Sequence, residues 1–389
     1  MEHLDNAPFE LDDMIALRRD LHTHPELGFE EVRTSGIVAE KLADVGITVH
    51  RGLGKTGVVG TLKVGNGARS IGLRADMDAL AMPELADREY KSTTPNTMHA
   101  CGHDGHTVML LAAARYLART KNFDGTVHFI FQPAEEGRGG AKAMIEDGFF
   151  DLFPCDAVYG LHNMPGLATD EMAVVTGPQL ASSDSWEVAF TGVGTHGAKP
   201  HLGKDAVTAA AHFLTMLHTI VARVVDPLQP AVVSACALSA GDFKALNVIP
   251  DVVRIGGTAR AYTPAVRDQL EAEIGRLAHG VAASFGIEVS YTFNRRIPPV
   301  VNNAEVTARA HKAATAATGR AVVTDFPPST AGDDFAEFGN RVPGCYVWLG
   351  NGPAQDGALH HNSRYDFNDD AILTGARYWA TLVEQDLSA

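Results

Sequence analysis

The chain is poor in cysteine and in aromatic residues, short of positive charge, and free of long apolar runs. Four cysteines (Cys101, Cys155, Cys236, Cys345) in 389 residues do not make a disulfide scaffold. A reducing compartment, the cytoplasm, is the expectation. Three of the four read as small apolar core residues; Cys101 differs, with histidine and glycine as neighbours. Lys and Arg number 32 against 47 Asp and Glu, a net charge of -15, which argues against nucleic acid or an anionic membrane as partner. A small anionic substrate stays open, since one local arginine overrides a global field. No stretch approaches the ~18 consecutive apolar residues of a membrane span. Met1–Glu10 has neither the basic region nor the apolar core of a signal peptide.

The composition is otherwise that of a globular protein with a large core, 45% hydrophobic and 20% charged. The length suggests roughly two domains at about 100–200 residues each. Spacing of Leu11, Met14, Ile15, Arg18 and Leu21 predicts a helix from about Glu10 to His22, stopped by Pro25. A second helix is expected over 35–45, with Gly46 just past its end. Ser70–Asp76 reads as a buried strand, 107–118 as a helix apolar almost all round, and 127–131 and 157–162 as further strands. This alternation predicts an α/β domain with a mainly parallel sheet. From about Ser183 the pattern becomes strand, helix (capped by Asp205 and running to Val225), strand, strand, helix (from Thr263-Pro264), strand. That β-α-β-β-α-β order is the split, ferredoxin-like unit. The α/β pattern then resumes, with a buried strand at 345–349 and a last helix from Asp369. The expectation is a domain of residues 1–183 and 295–389 with an α+β domain, 184–294, inserted in it.

Chemistry-bearing residues gather at the ends of the predicted strands. Asp76 and Asp78 follow one strand, Glu135 and Glu136 a second, and His162 ends a third. Cys101 and His103 sit in the loop His99-Ala-Cys-Gly-His-Asp-Gly-His106 before a buried helix. In an open α/β sheet the functional crevice lies outside the carboxyl ends of the strands, so these residues converge without being close in sequence. A thiolate and imidazoles suit Zn, Mn, Co or Ni more than Mg. Glu135 and Glu136, being adjacent, point different ways, so one can bind metal while the other moves a proton. A structural metal site needs only ligands; a hydrolytic site also needs a base. Of His360 and His361, at most one reads as a ligand. His22, His24, His99, His106 and His201 read as structural, and His212 and His218 as packing or surface residues. In the inserted domain His196 lies between glycine-rich turns, a candidate electrophile, and Asn247 and Arg260 are candidate holders of a carboxylate.

These motifs together resemble the M20 metallopeptidase family, in particular its amidohydrolase subfamily. The matching segments are Arg18–Glu31, Leu73–Leu80, Met98–His106, Phe129–Gly137, Gly160–Asn163, Asn247–Asp251 and Tyr365–Asp369, in the family's order and across nearly the whole chain. The resemblance implies a two-metal site with Cys101, His103, Glu136, His162 and His361 as ligands, the last because it stands four residues before Tyr365. It implies Glu135 as general base, Asp78 as the acid supporting the metals from behind, and His196 as an oxyanion-stabilising residue of a lid domain that also mediates dimerisation. Ser363, Asp333 and Thr195 depart from the family's commoner Pro, Glu and Gly; none is a ligand position. The expected activity is metal-dependent hydrolysis of N-acyl amino acids. The rivals are a dipeptidase or aminopeptidase of the same family, a thiol amidase with Cys101 as nucleophile and His103 as base, and a non-catalytic metal-binding protein.

Overall fold

The computed structural model describes residues 9–354 and 357–388. Met1–Pro8, on which the reading of the N-terminus largely falls, lie outside them. The chain forms two compact units, one of residues 1–177, 301–327 and 333–389, the other of 178–300 and 328–332.

The first unit is built on a seven-stranded mixed sheet. Its order is Thr48–Leu53, Gly57–Val64, Gly125–Gln132, Ser70–Asp76, Ala157–Met164, Gly344–Gly350, Met172–Ala173. The four strands from Gly125–Gln132 to Gly344–Gly350 run parallel, while the outer pairings are antiparallel. Parallel strands are buried on both faces, which is why they read as apolar runs in the sequence. The outer hairpin escapes such a reading: Thr48–Leu53 is mostly exposed and carries no apolar alternation.

Alternation along the parallel strands divides the sheet into two unlike faces. Ile71, Leu73, Ala75, Val127, Phe129, Phe131, Tyr159, Leu161, Val347 and Leu349 belong to the main core. That core is closed by the helices Leu11–Thr23, His103–Thr120, Ala304–Thr318 and Ala371–Asp386. The intervening positions, Arg74, Asp76, His128, Gln132, His162 and Tyr346, project the other way and are polar yet buried. Gly160 on that face has no room for a Cβ, which would lie 2.9 Å from both the Phe335 and Tyr346 rings. The short helix Phe335–Gly339 thus seats against the polar face.

The second unit carries a four-stranded antiparallel sheet ordered Ala231–Ala240, Val252–Ala261, Ser183–Thr191, Glu288–Ile297. Helices Ala206–Leu217 and Pro264–Phe285 pack against it around Trp186, Phe190 and Phe213. Residues 178–182 and 328–332 also belong to this unit: the Ala181 N–H donates to the carbonyls of Ser329 and Ala331, and the Ser182 N–H to that of Ala261; the sequence pattern places that boundary at 184. Asp205 caps its helix as expected, accepting from the N–H groups of Val207 and Thr208. The α-helix ends at Leu217 rather than Val225, and a wider π turn covers Ile220–Val224. Thr215 and Thr219 hydroxyls bond back to the carbonyls of Ala211 and Met216 there, a competitor to the regular ladder. Among the described residues no helix is long and apolar enough to cross a membrane.

Candidate metal centre

Within the first unit the carboxyl ends of three parallel strands, the start of helix His103–Thr120 and the loop carrying His361 bring seven of the predicted residues together. Gly102 sets the geometry of the helix start. Its φ of 89° is one that residues with a Cβ rarely adopt, and a Cβ there would lie 2.4 Å from Asn163 Nδ2 and 2.6 Å from Tyr365 Oη. Cys101 and His103 flank it, one facing the Ala157–Met164 strand end and the other facing Asp78.

Donor atoms of Cys101, His103 and His162 form one close group, those of Cys101, Glu136 and His361 a second, and those of His103, Glu135 and Glu136 a third, each within 4.8 Å. The groups share members, so they form one continuous cluster. His103 donates through Nδ1 to the Asp78 carbonyl at 2.9 Å and lies 3.2 Å from Asp78 Oδ1. With Nδ1 held in this way, Nε2 is the nitrogen left to face a cation. His162 does the same through Nδ1 to the Asn163 carbonyl at 2.7 Å, with Nε2 3.4 Å from Cys101 Sγ. The other oxygen of Asp78 accepts from the Glu136 N–H at 2.9 Å, so one carboxylate orients two candidate ligands.

Two buried atoms in this cluster, His103 Nε2 and Glu136 Oε1, have no hydrogen-bond partner. Glu136 Oε1 stands 3.2 Å from His361 Nε2, an ion-pair distance without hydrogen-bond alignment. Buried polar atoms are nearly always paired. Two orphans aimed at a thiol and imidazoles fit a site for divalent cations.

The electrostatics give the same answer. On His103, burial opposes charge, but Asp76, Asp78 and Cys101 outweigh it and push the imidazole well above its usual range. Cys101 and Glu136 push His361 up to about 10. Burial, helped by His106 and His360, pushes His162 well below the usual range. Burial and Glu136 push the Cys101 thiol up. The acidic groups around His103 and His361 thus favour positive charge at those two positions. Asp76, His103 and His106 form a further group. There Asp76 is already paired with Arg74 at 2.7 Å and His106 at 2.6 Å, which leaves it less to offer a cation.

Glu135 belongs to the third of these groups and to neither of the two that contain the Cys101 thiol. Its carboxylate groups with Asp333 and Asp334 on one side and with His103 and Glu136 on the other. Burial, then Asp333, Glu136 and Asp334, push it well above the usual carboxylate range.

Several contributors lie outside the predicted set. Asn163 is the hub behind the cluster: it donates to the Cys101 carbonyl at 2.6 Å and accepts from Tyr365 Oη at 2.7 Å. His360 Nε2 lies 3.0 Å from the same Asn163 oxygen, which makes it a neighbour of the ligands. Asn163 follows His162 directly, and that adjacency was the available signal. His106 holds the Asn163 N–H through Nε2 at 3.0 Å, a supporting role as expected.

In the second unit His196 and Asn247 are placed by a small two-stranded sheet, Thr195–His196 against Val248–Ile249, and Arg260 by strand Val252–Ala261. His196 pairs with Val248, next to Asn247, whose carbonyl accepts from the Gly197 N–H at 2.7 Å. His196 Nδ1 accepts from the Ala198 N–H at 3.0 Å, which makes Nε2 the proton-bearing nitrogen of a neutral ring. Arg260 spends Nη1 on the carbonyls of Ala259 and Asp184.

Gly102→Ala is expected to cost at least about 1–2 kcal/mol through the left-handed backbone alone, and to displace Cys101 and His103. Thermal melting and elemental analysis would show a lowered Tm and reduced metal content. A variant with both unchanged would refute this account of the helix start.

The profile of peptidase family M20/M25/M40 matches residues 72–385. The chain is 43% identical over 367 residues to the hippurate hydrolase of Campylobacter jejuni, with 94% of each chain covered. It is 36% identical over 366 residues to an N-acetyl-L-cysteine deacetylase of Bacillus subtilis, covering 94% of this chain and 86% of that one. Among solved structures, a Bacillus subtilis protein described as a dinuclear metal binding peptidase superposes with a TM-score of 0.85 at 32% identity, covering 98% of this chain and 99% of that one.

Proposed function

The chain belongs to peptidase family M20/M25/M40 and is a metal-dependent hydrolase; on that premise we propose that it hydrolyses the amide bond of N-acyl amino acids, releasing a carboxylic acid and a free amino acid. The observation that carries this reading is Glu135, a buried carboxylate that adjoins His103 and Glu136 yet belongs to neither donor group that contains Cys101. Hippurate and N-acetyl-L-cysteine, named for two relatives, are both N-acyl amino acids.

Cys101, His103, Glu136, His162 and His361 would hold two divalent ions, with Mn, Zn, Co and Ni all suited to a donor set that includes a thiol. Bound there, such ions polarise the amide carbonyl and acidify water. The chain's own groups do the rest. Asp78 orients His103 and the Glu136 main chain. Glu135 takes the proton of the attacking water and passes it to the leaving amine nitrogen, a task that favours a carboxyl raised above the usual carboxylate range. His196, as a neutral Nε2–H donor, stabilises the oxyanion. Asn247 and Arg260 hold the substrate carboxylate. The inserted unit is assigned the roles of lid and of dimerisation element in a homodimer.

The test is amine release from a panel of N-acetyl, N-benzoyl, N-indole-3-acetyl and longer-chain acyl amino acids. It is run with Mn²⁺ or Zn²⁺, after dialysis against EDTA, and after metal is restored. Release that disappears with EDTA and returns with metal is expected. Silence on the whole panel, with free dipeptides cleaved, would move the assignment to peptidase. A thiol amidase would survive EDTA and die with iodoacetamide; the upward push on the Cys101 thiol is the reverse of what activates a nucleophilic cysteine.

A further inference from the structure

The segment His24–Glu31 contains no metal donor of the cluster, yet it touches the segments that carry Asp78 and Glu135–Glu136. Glu26 accepts at its carbonyl from the Ala79 N–H at 2.8 Å, one residue past Asp78. Gly28 lies so close to the catalytic loop that a Cβ on it would sit 2.9 Å from Ala134 Cα, and its carbonyl accepts from Arg138 Nη1 at 2.9 Å. Glu31 is fully buried. One carboxylate oxygen accepts from the Ala134 N–H at 2.8 Å, and the other accepts from Thr56 Oγ1 at 2.5 Å.

Ala134 is an unusual residue to find at this point. It is fully buried, with φ 55°, the left-handed region that a residue with a Cβ seldom occupies. It comes just after strand Gly125–Gln132 and Pro133, where the sheet ladder no longer offers its N–H an acceptor. A buried N–H needs a partner, and Glu31 supplies one from 103 residues away in sequence. The next two residues are Glu135, which faces Asp333 and Asp334, and Glu136, which faces Cys101 and His361.

We propose that Glu31 is a positioning residue: its buried carboxylate, anchored by Thr56, holds Ala134 in the left-handed conformation that aims Glu135 and Glu136 at their separate tasks. The proposal rests on the reading of Glu135 as the base. It assigns to Glu31 an acceptor role and predicts that the strain at Ala134 is what the tether opposes.

The experiment compares kcat and KM, with metal in excess, for Glu31→Met, Glu31→Gln, Glu31→Met with Ala134→Gly, and Glu135→Gln. Glu31→Met keeps the volume and removes the acceptor; kcat is expected to fall about 10–100-fold, the scale of a misplaced catalytic group, with little change in KM. Glu31→Gln retains an acceptor and should recover most of that loss. Adding Ala134→Gly to Glu31→Met should also recover about tenfold or more, because glycine adopts this φ untethered. A merely structural glutamate would show no such rescue. A folded Glu31→Met enzyme with wild-type kcat overturns the proposal, as does a loss that neither Gln nor the added glycine repairs. If Glu31→Met does not fold, Thr56→Val carries the same test: kcat falls and Ala134→Gly restores it, or the proposal fails. An active Glu135→Gln enzyme would instead sink the assignment of the base, whatever Glu31 does.

Discussion

Glu135→Gln is expected to lower kcat by about 10²–10⁴-fold or more, to leave KM within a small factor, and to leave metal content unchanged. Glutamine has the same length and shape, so nothing in the packing needs to move. The amide is not a base at any relevant pH. Glu135 donates no ligand atom to the two groups that contain Cys101, so the donor set survives. A second signature separates this residue from a structural one. Glu135 is buried among Asp333, Glu136 and Asp334, a like-charge neighbourhood. Replacing it by a neutral amide removes repulsion, so Tm should hold or rise while turnover collapses. Catalytic groups kept at a cost to stability behave in this way. Activity assays, elemental analysis and a thermal melt on one preparation check all three outcomes. A variant that keeps most of its activity would show that the base is elsewhere, and one that loses metal would show that Glu135 is a ligand.

The sequence makes some parts of this site legible and hides others for physical reasons. Strands Ser70–Asp76, Gly125–Gln132, Ala157–Met164 and Gly344–Gly350 are buried on both faces, so their apolar runs stand out. Once they are placed in a parallel sheet, the residues at their carboxyl ends must converge, which brings His162 towards Glu135 and Glu136. Cys101 and His103 announce themselves by residue type. The Thr48–Val64 hairpin hides because its outer strand is exposed and nearly featureless. Glu31 hides because it acts across 103 residues through one hydrogen bond, and no periodicity records that. Asp333 is visible in the sequence only as a departure from a commoner Glu. The structure shows it to be part of a buried charge cluster with Asp334, Arg74 and Glu135. Arg74 did carry a signal: a charged residue in the middle of a fully buried strand is rare unless paired.

That pairing makes Arg74 the site of the largest expected stability effect. Its side chain is fully buried on the polar face of the sheet. It stands 2.7 Å from Asp76 Oδ2, 3.0 Å from Asp333 Oδ1 and 3.3 Å from Asp334 Oδ1, and its Nε donates to Gln132 Oε1 at 2.8 Å. One cation thus serves three buried carboxylates. Burial is the main force lifting Asp334, and against the pull of Arg74 the neighbouring Asp333 helps raise it to about 8. On Asp76, burial is outweighed by Arg74, His103 and His106, and the carboxyl is held well below its usual range. Arg74→Met fills much of the volume but leaves these carboxylates without their cation. Breaking a buried pair in this way costs about 3–5 kcal/mol, a large part of a total of about 5–15 kcal/mol, and corresponds to a Tm lower by roughly 5–10 °C for a unit of this size. The cost comes from the stranded charges rather than from lost packing, so it should be recoverable. Adding Asp333→Asn and Asp334→Asn to Arg74→Met neutralises two of the three carboxylates and should restore at least half of the lost stability. Denaturant unfolding of the single and combined variants measures this coupling. A drop below about 1 kcal/mol for Arg74→Met, or no recovery with the two asparagines, would mean that Arg74 is held there by packing and that the carboxylates beside Glu135 do not depend on it.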